Sequence, residues 1–186
     1  MPPKIKITKE QIVYTAFELV KKYGDGALNA RTLAKELNCS TQPIFSNYTS
    51  MSELRNDVIA AAKELYQSYQ TKEFSDGKYP MYKASGMAYI KFAKEEKQLF
   101  KLLFMRDRSY ENIPDEISEI DNIIEILEKN MGLSRDTAIA FHIQMWVWVH
   151  GIATMIATGY LEWDLDTVST MMTNAYQGLK KQYETK

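Results

Sequence analysis

From Thr137 to Leu161 the chain runs for 25 residues without an Asp, Glu, Lys or Arg. A helix that is apolar all round has no face to give to water, so such a stretch must be covered on every side. A bilayer could do this, since about 20 apolar residues span one; so could other protein. The stretch carries His142, Gln144, His150, Thr154 and Thr158 with Gly151 and Gly159, and it stands alone in an otherwise polar sequence. Those groups favour cover by protein, and in a chain of 186 residues a second subunit is the easiest source. Small Gly151, Ala153, Ala157 and Gly159 permit close helix approach. The expectation is a homodimer and no membrane span.

Composition narrows the rest. Hydrophobic residues at 45% and charged residues at 25% suit a folded domain rather than a disordered chain. Five prolines and eight glycines leave room for long helices. The single cysteine, Cys39, excludes an intramolecular disulfide and a cysteine zinc site. The opening Met1-Pro2-Pro3-Lys4-Ile5-Lys6 lacks the apolar stretch of a secretory signal, so a cytoplasmic protein is expected. His142 and His150 lie eight positions apart, about 12 Å along one helix, too far to share an ion. With no metal cluster, no phosphate-cradling glycine loop and no nucleophile–base pair, neither a cofactor nor an enzyme is expected.

Net charge is −1, but unevenly spread. Residues 1–50 hold seven Lys/Arg against four Asp/Glu, a net of +3; residues 51–186 hold sixteen against twenty, a net of −4. The amino-terminal end is the natural place for a polyanion contact.

Periodicity predicts about nine helices and no strands, an all-α fold. Thr8 with Gln11 reads as a capping box for a helix to Tyr23, ended by Gly24. Asn29 caps a second, short helix through about Leu37, and Ser40 a third through about Tyr48, with Pro43 tolerated in its first turn. A fourth is expected over about 52–72, broken at Glu73-Phe74-Ser75-Asp76-Gly77. Tyr82 to Phe92 marks a fifth, Leu99 to Met105 a sixth and Ile117 to Met131 a seventh. The uncharged eighth begins at Ser134, and the ninth runs from about Asp164 to Gln182.

The second and third helices carry the functional signal. Two short helices joined by a tight turn need a small residue where they cross, and Ala34 supplies it. The turn needs a residue that accepts left-handed φ, and Asn38 does so best after glycine. Leu33, Leu37, Cys39 and Ile44 provide apolar anchors. A small residue, a turn residue four later and an apolar residue ten later form the helix-turn-helix spacing.

Residues 8–58 resemble the amino-terminal domain of the tetracycline-repressor (TetR/AcrR) family. The likeness rests on the first helix ending in Tyr23-Gly24, Thr32-Leu33-Ala34, the run Cys39-Ser40-Thr41-Gln42-Pro43-Ile44-Phe45-Ser46-Asn47-Tyr48, and Ser50 with Leu54. Trp148-Val149-His150-Gly151 looks like a Trp-x-His-Gly signature of one subgroup. The resemblance implies a helix-turn-helix domain over 1–50 and an effector-binding and dimerisation domain over 51–186. It further implies double-stranded operator DNA and a small-molecule effector as partners, and a homodimer joined through helices eight and nine.

In that setting Thr41 and Gln42 would read base edges, Gln to adenine and a Thr methyl to thymine. Ser46 and Asn47 would face the duplex, and Arg31, Ser40, Tyr48 and Ser50 would grip phosphate. Two positions depart from the family: Phe45 stands where Tyr is usual and Met51 where Lys is common. The first loses a hydroxyl contact to phosphate and the second a charge contact; a lost ionic contact would lower the salt slope by about one unit, with Lys4 and Lys6 as compensation. Tyr66, Tyr69, Tyr89, Phe92, Phe104, Met145, Trp146, Trp148 and His150 fall on helices that line the family's ligand cavity, suiting a flat or greasy effector. The reading is a ligand-released repressor. The alternative is a ligand-binding or protein-interaction module of the same fold with weak or lost DNA binding.

Overall fold

A computed structural model describes residues 7–107 and 116–184 of the chain. Among the described residues there are nine α-helices, one 3₁₀ turn and no strand, in agreement with the all-α expectation. The chain divides into two compact units, residues 1–65 with 96–106 and residues 66–95 with 107–186. Lys4 and Lys6 lie outside the described residues.

The first unit begins with α1 (Lys9–Tyr23). Its capping box forms as the sequence requires: the Thr8 hydroxyl accepts from the Gln11 amide at 3.2 Å, and the Gln11 side chain accepts from the Thr8 amide at 3.0 Å. Gly24 ends the helix at φ +85°, and a Cβ there would lie 2.8 Å from the Gln98 side chain. A 3₁₀ turn at Asp25–Ala27 leads to α2 (Ala30–Glu36), α3 (Gln42–Asn47) and the first part of α4 (Met51–Asp76). α6 (Lys97–Phe104) packs on α1 and completes the unit. Ile12, Ala16, Val20, Leu33, Ile44, Leu54, Val58, Leu99 and Phe100 are fully buried and make its core. Two ion pairs fasten the rim: Arg55 grips Asp25 through two bonds of 2.8 and 2.6 Å, and Lys21 meets Glu96 at 2.8 Å.

One cap differs from expectation. α3 starts at Gln42, and its first carbonyl to accept is that of Thr41, from the Ile44 and Phe45 amides at 3.1 and 3.2 Å. Thr41 already has helical backbone angles and holds the cap position, one residue beyond Ser40, which is exposed.

The second unit contains the end of α4 with α5 (Met81–Glu95), α7 (Glu116–Met131), α8 (Arg135–Ala157) and α9 (Leu165–Glu184). α5 is its central helix, burying Ala84, Met87, Ala88, Tyr89, Ile90, Phe92 and Ala93. Tyr82 meets His142 and Tyr89 meets His150, so α5 and α8 run side by side in the same direction. Ile124 and Leu127 of α7 close on Ala138, Phe141 and Met145 of α8 in a second apolar cluster. Ser134 caps α8 through the Thr137 amide, as its position predicts.

α4 does not break at Glu73 but continues to Asp76. Within that stretch Glu73, only 3% exposed, accepts a hydrogen bond from the Lys91 ammonium of α5, 18 residues away. A charged residue that reads as a helix break is instead a buried ion pair. Removing one member leaves the other charge uncompensated. Glu73→Ala should therefore destabilise the full-length protein by about 2 kcal/mol in urea unfolding, allowing for a Lys91 side chain that is 23% exposed. Glu73→Leu with Lys91→Met should cost less than either single change. Costs that simply add would show that the two charges do not interact.

Candidate nucleic-acid interface and aromatic cluster

The corner between α2 and α3 follows from three local interactions. Asn29 caps α2, its Oδ1 accepting from the Thr32 amide and hydroxyl at 3.0 Å each. Asn38 takes φ +50°, the only non-glycine residue with positive φ among those described. The Cys39 amide then donates back to the Ala34 carbonyl at 2.9 Å, closing the turn. Cys39 itself is half-buried in this turn.

α3 is two-sided. Ile44 and Tyr48 are buried, one turn apart on its inner face. Gln42, Phe45, Ser46 and Asn47 are exposed, with Thr41 half-exposed beside them. Arg31, Ser40 and Ser50 are also exposed. Ser46 Oγ donates to the Gln42 carbonyl at 2.9 Å and Asn47 Nδ2 to the Pro43 carbonyl at 2.8 Å, so both side chains lean on their own helix.

Two expected phosphate grips are already engaged. The Tyr48 hydroxyl donates to Asp57 at 2.8 Å, while Lys9 pairs with Asp57 at 3.1 Å and lies 4.8 Å over the Tyr48 ring. Burial, then the Asp57 carboxylate, drives the Tyr48 phenol far above its ordinary range. The bond from Tyr48 holds the Asp57 carboxyl below its own. At the start of α4, the Ser50 hydroxyl accepts from the Glu53 amide at 3.2 Å. The Glu53 carboxylate in turn accepts from the Thr49 amide and hydroxyl at 2.8 Å each. Those Thr49 bonds, the backbone one foremost, lower the Glu53 pKa. A carboxylate thus sits at the start of α4, on the amide that precedes the helix, close to where an anion would bind.

In the second unit six of the nine expected effector residues meet. Tyr66 contacts Tyr89 and Phe92 with ring centroids at 5.9 and 5.3 Å, and Tyr69 contacts Phe92 at 5.4 Å. The Tyr89 hydroxyl is 2.8 Å from His150 Nδ1, and His150 stacks on Trp146 at 4.9 Å. The other three lie elsewhere. Met145 belongs to the cluster with Ile124, Leu127 and Phe141. Trp148 is 58% exposed on a shallow apolar groove with Val147, Gly151, Met155, Trp163 and Met171. Phe104 belongs to the first unit, against Phe100 at 5.2 Å.

Two features escaped the sequence reading. Tyr82 and His142, at 3.2 Å, repeat the Tyr89–His150 pairing two turns earlier on the same two helices. The seven- and eight-residue spacings are visible in the sequence, but the pairing of α5 with α8 is not. Thr154, one turn beyond His150, has a buried hydroxyl with no hydrogen-bond partner. Thr158, Thr170 and Thr173 instead bond back to carbonyls four residues earlier on their helices. Among the described residues no group of three or more His, Cys, Asp or Glu could hold a metal ion.

The geometry defines a helix-turn-helix unit and a separate helical unit with an aromatic interior. Residues 82–176, half of the chain, match the family described as "Tetracyclin repressor-like, C-terminal domain". The chain belongs to this family of TetR-like transcriptional regulators. Its fold is similar to the crystal structure of a TetR-like transcriptional regulator from Rhodococcus sp. RHA1. That comparison has a TM-score of 0.68 at 16% identity and covers 96% of this chain and 98% of the other. It is also similar to a TetR family protein from Vibrio parahaemolyticus, with a TM-score of 0.61 at 15% identity, covering 91% and 96%. No curated protein sequence matches the chain.

Burial holds both histidines below their ordinary pKa. Each stays neutral in the fold at a pH where the unfolded chain takes up a proton. Their stabilising contribution is complete above about pH 6.5 and is lost as pH falls through that value toward the lowered native pKa. The thermal midpoint should fall between about pH 7 and pH 5, and His142→Gln with His150→Gln should flatten that fall. An unchanged slope in the double variant would assign the pH dependence to other groups.

Proposed function

We propose that the protein is a ligand-responsive transcriptional repressor. Two copies join through α8 and α9, and their α2–α3 corners bind half-sites of a near-palindromic operator about one helical turn apart. The carrying observation is the two-sided α3: buried Ile44 and Tyr48 fix it from beneath, and Thr41, Gln42 and Phe45 are left to face outward. Gln can bond bidentately to adenine, which gives base selectivity without charge.

A small aromatic or apolar effector enters the second unit beside Tyr66, Tyr89, Phe92 and His150. The unpartnered Thr154 hydroxyl supports a polar contact there, since such a group gains when a ligand satisfies it. α4 contributes residues to both units and is the element an effector would act on. The effector releases DNA only if it binds one arrangement of the reading heads better than the other. Soluble, non-enzymatic action in the cytoplasm accompanies this reading.

The exposed apolar face of α8 supports the dimer. Ile143, Val147, Trp148 and Met155 are all exposed in a single chain, a patch that a second copy would cover. Light scattering should give twice the 21.5 kDa chain mass, and Trp148→Asp should shift it toward the single-chain value. A monomeric wild type would contradict the arrangement.

The second reading, a module with weak or lost DNA binding, is favoured by one cluster of observations: the Glu53 carboxylate stands at the start of α4 on the Thr49 amide and hydroxyl, and Met51 and Phe45 supply neither charge nor hydroxyl. Selection from a random duplex pool with the full-length protein separates the two. The repressor reading expects an inverted repeat with salt-sensitive affinity, and Glu53→Gln should tighten binding at low salt while keeping the cap. Failure to enrich any duplex would favour the second reading.

A further inference from the structure

We propose that Phe45 reads the 5-methyl group of thymine, so that one position of each half-site depends on that methyl. This rests on the DNA-binding reading above and names how selectivity arises within it.

The outer face of α3 has little to offer a base by hydrogen bonding. The helix Gln42–Asn47 contains no charged residue. Ser46 commits its hydroxyl hydrogen to the Gln42 carbonyl, and Asn47 one of its two amide hydrogens to the Pro43 carbonyl. Thr41 and Gln42 remain, and between them and Ser46 stands the Phe45 ring, 51% exposed. Positions 41, 42, 45 and 46 share one helical face by their three- and four-residue spacing. Phe45 therefore lies on the same surface as the two free base readers.

An apolar ring at that place is selective by exclusion. It carries no donor or acceptor, so it cannot satisfy a purine N7, a guanine O6 or an amino group whose water it displaces. The thymine methyl is the one apolar group on the major-groove edges of the four bases. Pressed against it, both surfaces leave water together, worth about fourfold in affinity for a buried group of methyl size. One expected phosphate contact is weakened here, because the Tyr48 hydroxyl is tied to Asp57, and the Glu53 carboxylate adds negative charge at the start of α4. A single apolar contact then carries a larger share of the discrimination.

The test uses the full-length protein and a duplex enriched from a random pool. Each thymine in turn is replaced by deoxyuridine, which removes only the methyl, and affinity is measured at fixed salt. The expected result is one symmetry-related thymine per half-site whose replacement weakens wild-type binding about fourfold and leaves Phe45→Ala binding unchanged, whereas a thymine read by the Thr41 methyl loses affinity equally in both proteins. At that position Phe45→Ala should bind the thymine and deoxyuridine duplexes equally, while its circular dichroism and thermal midpoint stay near wild type because the ring is half in water. Uniform tolerance of deoxyuridine, or a pattern of methyl dependence that is the same in Phe45→Ala at every position, overturns this inference alone. Enrichment of no duplex overturns the DNA-binding reading and this inference with it.

Discussion

The α2–α3 corner is held from beneath, and what it presents outward follows from that. Ile44 is fully buried and Tyr48 is 2% exposed, while the Tyr48 hydroxyl is tied to Asp57 of α4, which Lys9 of α1 also holds. Three helices are thus pinned at one point under a helix of only six residues. A helix that short has little stability of its own and takes its orientation from its packing. With one face fixed inward, Thr41, Gln42, Phe45 and Ser46 can point only away from the core.

The same economy has a cost for polyanion binding. Groups that anchor the corner are ones a phosphate could otherwise use: the Tyr48 hydroxyl serves Asp57, and the Thr49 amide and hydroxyl just ahead of α4 serve Glu53. Grip and support compete for the same donors. The second unit is built differently, from neutral couplings. Tyr82–His142 and Tyr89–His150 fix the register of α5 against α8 with no net charge placed in the interior. The one buried carboxylate among the described residues, Glu73, is matched by Lys91.

What could be read from the sequence was local. The Thr8–Gln11 box, the Asn29 and Ser134 caps and the left-handed Asn38 each depend on residues within a few positions, and each forms as expected. The fold class followed from helical periodicity for the same reason. Distant partners were hidden. Glu73 reads as a break until Lys91 is brought beside it, and Tyr48 reads as an outward grip until Asp57 draws its hydroxyl inward. Met145, Trp146 and Trp148 are near neighbours in sequence yet point to three different surroundings, because α8 has apolar residues on every side and its sequence does not say which side faces α5.

Side-chain oxidation by hydroxyl radicals, read by mass spectrometry on the full-length protein with and without an enriched duplex, tests the central claim most directly. Phe45 should be labelled in the free protein while Tyr48 is spared, and the duplex should protect Phe45. Labelling of Tyr48 to the level of Phe45, or a Phe45 signal unmoved by bound duplex, would contradict the account.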